Sequence, residues 1–260
     1  MRKKYGVWAV AACAAMTLGL TGCGGDDKKD DNGDKSPTKP AAPATNGVEK
    51  LTGPEIADKA KNELTSATSV RMNAEGKDGG QSMKMNMLMD NKGDCRGSMT
   101  MGSQGSFEIV KLGDKVWMKP DAQFMKTMFG EDAEVTKLLT GKWMYGSTTT
   151  DKDLKDMADV CDLKSVQASA AGSTEQNKSF TKGTVTTLDG HQVIPVSGKN
   201  GSGEPITLSV ALEGKPYPVK VVKTGADSTT STLSDYNKPV GTETPPETES
   251  IDMAELEKSA

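Results

Sequence analysis

The stretch VRMNAEGKDGGQSMKMNMLMDNKGDCRGSMTM, residues 70–101, decides how the rest of the chain reads. Val70, Met72 and Ala74 alternate with polar residues, and Met83, Met85, Met87 and Met89 repeat the alternation. A period of two is the mark of a strand, whose successive side chains point to opposite faces. KDGGQ turns the chain between the two runs, and NKGD turns it again toward Cys95, Met99 and Met101. Strands joined by turns this short are antiparallel neighbours, because parallel neighbours need a crossover of a dozen residues or more. The stretch therefore predicts a meander and not βαβ units. Its four methionines form one stripe, with Lys84, Asn86 and Leu88 behind it. Three readings of that stripe stand open: a pliable wall for an irregular apolar ligand, a thioether site for a soft metal, and a plain sheet core.

The same grammar extends outward. GSFEIVKLGDKVWMKPD predicts a hairpin with Gly113 and Asp114 at its tip. TVTTLDGHQVIPVSG turns at Asp189 and Gly190, PITLSVALEG puts Ile206, Leu208, Val210 and Leu212 on one face, and YPVKVVKTG and STTSTLSDY follow as further strands. The total is about nine to eleven strands. Helices come at the start and in the middle. Thr52 caps a helix with Pro54 in its first turn and with Ile56, Ala60 and Leu64 at helical spacing. Phe124, Met125, Met128 and Phe129, then Val135, Leu138 and Leu139, predict two short helices broken at Gly130. Leu154, Met157, Val160 and Cys161 share one side of another, whose Asp153, Asp156 and Asp159 form a solvated face. The fold class is α+β: a large curved antiparallel half-barrel sheet with helices covering its concave face.

The ends of the chain read differently. Arg2, Lys3 and Lys4 precede an apolar run from Val7 to Leu20, the pattern of a secretory signal and short for a membrane span. It closes on LTGC, so residues 1–22 are expected to be removed and Cys23 to be acylated, which anchors the chain to a membrane. Residues 23–50, acidic and nearly free of apolar side chains, read as a disordered tether; residues 51–240 form the folded domain and 241–260 a C-terminal tail. Without Arg2, Lys3 and Lys4 the chain keeps 29 basic residues against 36 acidic ones, a net of −7, which does not favour nucleic acid. Cys13 leaves with the signal, so Cys95 and Cys161 remain as one pair, read as a disulfide in an exported protein.

Catalytic patterns are missing. The chain has no G-x-S-x-G, H-E-x-x-H, Walker loop or G-x-G-x-x-G, and its single histidine, His191, sits beside a predicted hairpin turn. The reading is a non-enzyme without cofactor or built-in metal site. A Cu(I) site on the methionine stripe stays as an alternative, because residues two apart on a strand lie about 7 Å apart and long thioethers can converge from there. An interaction or sensory lipoprotein with a filled core is the other alternative.

LTGC and the acidic tether are followed in order by KLGDKVWMK (Lys111 to Lys119), LTGKWM (Leu139 to Met144), LDGHQVIPVSG (Leu188 to Gly198), GKPYPVKVV (Gly214 to Val222) and LSDYNKPV (Leu233 to Val240). This series resembles the actinobacterial lipoproteins of the LppX and LprG type, which in turn are similar in fold to the LolA-like carriers. The resemblance implies a lipoprotein on the extracytoplasmic face of the cell membrane. It further implies that a lipid or glycolipid is held between sheet and helices and moved through the envelope, with an envelope transport protein as partner. It would place Trp117 and Trp143 at hairpin positions of the sheet. It would also line the ligand site with Met83, Met85, Met87 and Met89, facing a lid that carries Phe124, Met125, Met128 and Leu138. Aromatic residues are only 4% of the chain, which predicts a small or closed cavity.

Overall fold

A computed structural model describes residues 45–130, 133–171, 178–200 and 202–259; the signal segment, Cys23 and the tether as far as residue 44 lie outside them. Strands β1 (Ser69–Asp78), β2 (Gln81–Asp90), β3 (Cys95–Met101), β4 (Ser106–Leu112), β5 (Lys115–Pro120) and β6 (Trp143–Ser147) form an antiparallel meander. The turn between β1 and β2 needs two left-handed residues, and Gly79 (φ 55°) with Gly80 (φ 81°) supplies both without a Cβ clash.

A second group follows: β7 (Thr181–Lys182), β8 (Thr186–Leu188), β9 (His191–Lys199), β10 (Pro205–Ala211), β11 (Pro218–Lys223) and β12 (Thr229–Ser234). The Asp189-Gly190 turn lies between β8 and β9, with Leu188 opposite His191. β12 pairs with β1, Leu233 opposite Met72, so the two groups merge into one open curved sheet of 13 strands. The last strand, β13 (Ser250–Asp252), pairs with β6 and is parallel to it, Ile251 opposite Met144. A chain-terminal segment can lie parallel because a long stretch leads into it. Arg96 marks its path over the convex face by donating to the Glu243 carbonyl at 2.9 Å. Folded structure thus extends past residue 240. It also begins before Leu51: Asn46 donates its N–H to the Leu212 carbonyl at 2.7 Å, and Val48 is buried.

Among the described residues there are six helices. α1 (Gly53–Thr65) starts at Thr52, whose N–H donates to Glu55 Oε2 at 2.8 Å. Its Ile56, Ala57 and Ala60 pack on Ile194, Val196, Val210 and Leu212 of β9, β10 and the residue after. α2 (Ala122–Phe129) and α3 (Ala133–Leu139) are separated by Gly130 as the spacing predicts. α4 (Lys152–Ala158) lies close over β6, because Gly146 leaves room there for Leu154: a Cβ at Gly146 would sit 2.5 Å from Leu154 Cδ1. α5 (Leu163–Ala171) was not legible in the sequence, since its LKSVQASAA has a weak apolar stripe. Gln167 fixes it to α1 by donating to the Leu64 and Ala67 carbonyls at 3.0 and 2.9 Å. α6 (Met253–Ser259) returns to the concave side, where Met253 and Leu256 pack against the main core.

Candidate functional site

The methionine stripe occupies the concave face, and the structure divides it. Met87 and Met89 are wholly buried in a core with Phe124 and Met125 of α2, Leu139 of α3, Leu163 of α5 and Leu233 of β12. The hollow expected under the inserted helices is filled at this point by those side chains. Met83 and Met85, toward the other end of β2, are only half-buried. Of the lid residues, Phe124 and Met125 are buried, whereas Met128 and Leu138 stand in solvent at 36% and 51% exposure. The structure therefore brings Met87, Met89, Phe124 and Met125 together and separates Met128 and Leu138 from them.

The half-buried end is larger than the stripe alone. Met85 lies opposite Met99, and Met83 opposite Met101, across β2 and β3; Met72 lies opposite Met87 across β1 and β2. Met72, Met85, Met99 and Met101 pack against the core without being enclosed, as does Phe129 at the end of α2, and Met83 beside them is half-buried. Directly opposed side chains on antiparallel strands have Cβ atoms about 5 Å apart, so thioethers on three adjacent strands make a continuous soft surface. Sequence reasoning gave weight to the run in β2 and passed over Met72, Met99 and Met101. The short turns at 79–80 and 91–94 held the signal, because they set the register that aligns the three strands.

α2 is held over this end by the residue that caps it, Asp121. Asp121 Oδ1 accepts from the Phe124 N–H at 2.7 Å, while Oδ2 accepts from the Ser106 N–H at 2.9 Å and the Ser106 hydroxyl at 2.6 Å. Burial alone would raise the Asp121 pKa, but these hydrogen bonds outweigh it and hold the carboxyl below its ordinary value. Phe124 then stacks obliquely on Phe107 of β4, ring centres 5.0 Å apart. On the other side of the core the Cys95–Cys161 disulfide joins β3 to the turn after α4.

Trp117 is a sheet residue paired with Tyr145, and Trp143 begins β6; both are on the convex face, behind Met118 and Met144. His191 is 75% exposed with Nδ1 3.8 Å from Glu213 Oε2, far from a catalytic constellation. Among the described residues no group of three or more histidine, cysteine or acidic side chains is placed to hold a metal ion. No helix among them is long and apolar enough to cross a membrane.

No family model matches the chain, and no curated protein does. Solved structures do. LprF from Mycobacterium bovis is similar with a TM-score of 0.53 at 14% identity, covering 74% of this chain and 96% of that one. The lipoprotein LppX from Mycobacterium tuberculosis matches with a TM-score of 0.45 at 15% identity, over 73% and 97% of the two chains. At such identity the likeness to LprF is one of fold, and it is the fold that the ordered sequence motifs led us to expect.

Proposed function

We propose that this chain is a lipoprotein, acylated at Cys23 and anchored on the extracytoplasmic face of the cell membrane, that binds a lipid or glycolipid and carries it through the envelope without catalysis. The observation that supports the reading is the unsealed block of Met72, Met83, Met85, Met99 and Met101 on the concave face. A row of half-covered apolar side chains against a closed core leaves surface that an acyl chain can cover, and methionine adapts to chains of varied shape. The binding place in this reading is the open end of the stripe, with Phe129 at its rim, and Met87 and Met89 serve as its floor. Protein purified from a lipid-producing host and extracted for mass spectrometry tests it. A stoichiometric lipid that is lost in M85D/M99D supports the reading; an empty wild-type protein that also ignores apolar dyes sinks it.

One observation favours a second reading. Met83 opposite Met101 and Met85 opposite Met99 make a quartet of thioethers on two strands, a donor set suited to Cu(I) and to few other ions. This reading predicts Cu(I) retention against a competing chelator, abolished in the M83L/M85L/M99L/M101L protein. Equal retention by both proteins removes it.

A further inference from the structure

A cavity of about 410 Å³ lies at the opposite end of the sheet from the open methionines, between the β2–β3 loop and the α4–α5 junction, with the half-disulfide Cys161 in its wall. Four lysines line it, each from a different element: Lys92 of the loop, Lys111 of β4, Lys155 of α4 and Lys164 of α5. In a chain with more acids than bases, that convergence calls for an account.

Three of the four lysine ammonium groups are not tied into the fold. Among the described residues Lys92, Lys155 and Lys164 have no ion-pair partner. Lys111 is half-buried and donates to the Gly93 and Gly113 carbonyls at 2.8 and 2.9 Å, which fixes its ammonium and leaves one N–H uncommitted. Two acids share the lining, Asp159 and Asp162. Asp162 is committed to the start of α5, accepting from the Lys164 N–H at 2.9 Å and the Ser165 hydroxyl at 2.6 Å. The cavity wall thus carries four positive charges against two negative ones, a net positive balance in which Asp162 also interacts with the charge of Lys164. Such a concave, net-positive site concentrates anions.

We propose that this cavity binds a phosphate-class anion, held by Lys92, Lys155 and Lys164 around the fixed ammonium of Lys111. The anion is either free phosphate or the headgroup of an acidic lipid. The chain enters the fold at the same end of the sheet: Asn46 bonds to Leu212, just beyond β10, and the register places that end of β10 in line with Pro218, Ser234, Arg71 and Leu88, two residues from Asp90 at the end of β2. The headgroup source draws on the anchored reading above, whereas the anion site itself does not.

Calorimetry on the full-length protein in phosphatidylcholine nanodiscs separates the sources, with inorganic phosphate in one arm and monomeric dihexanoyl-phosphatidylglycerol in the other. Binding in either arm, weakened tenfold or more in K92Q/K155Q/K164Q and in the single K155E variant, supports the proposal. Binding in both arms identifies a free-anion site, and binding of the lipid alone identifies a headgroup site. Weakening with rising salt is expected in either case. Absence of binding, or equal binding by wild type and both variants, overturns it. The difference in apolar-dye signal between wild type and M85D/M99D in matched nanodiscs reports on the methionine surface separately, so loss of one signal leaves the other interpretable.

Discussion

Met85 and Met99 face each other across β2 and β3 and are both half-covered, while Met87, next along the same face of β2, has no exposed surface. One pleat therefore separates a side chain that holds the core together from one that is free to meet a ligand.

That boundary predicts opposite responses to truncation. Met87→Ala should cost about 2–5 kcal/mol of stability, because it removes a fully buried side chain and leaves a cavity. Met85→Ala should cost about 1 kcal/mol or less and instead weaken apolar ligand binding. Denaturant unfolding and dye titration on both variants measure the difference, and equal stability losses would place Met85 in the closed core.

The disulfide spans 66 residues of sequence, so by loop entropy it should contribute roughly 4 kcal/mol. The C95S/C161S protein is expected to unfold at correspondingly lower denaturant concentration. A loss below about 1 kcal/mol would mean that the α4–α5 junction holds its place on β3 by packing alone.

Acid should loosen the start of α2. The Asp121 pKa is lower in the folded chain than its ordinary value of 3.8, so its contribution is present above that value and is lost as pH falls through the folded pKa. Amide exchange of residues 122–129 should rise below about pH 4. In Asp121→Asn this added sensitivity should vanish, with α2 already weakened at neutral pH.

The C-terminal segment covers the edge of β6 with a strand of only three residues. Removing residues 250–260 strips β13 from β6 and takes Ile251, Met253 and Leu256 off the core. The expected result is a lower melting temperature and self-association in sedimentation, because an unpaired strand edge is a template for pairing. A truncated protein that stays monomeric with unchanged stability would contradict the role given to this strand.

Much of the architecture was legible because its signals are local. Alternation in Met83 to Met89 fixes which face each side chain takes, and Gly79-Gly80 and Asp189-Gly190 fix where the chain reverses. The break at Gly130 and the cap at Thr52 likewise depend on their immediate neighbours. α5 escaped because its small and polar residues acquire a partner only through Gln167 and α1. β13 escaped because three residues carry too little pattern to identify a strand, and their pairing with β6 spans about a hundred positions.

The amino-acid order by itself determined an antiparallel sheet with a thioether face and inserted helices, since periodicity and turn chemistry act over a few residues. Which thioethers are sealed and which lie open was decided only in three dimensions. Coverage depends on where Phe124, Met125, Leu139 and Leu233 arrive from distant parts of the chain, and on the register that sets Met72, Met99 and Met101 beside β2.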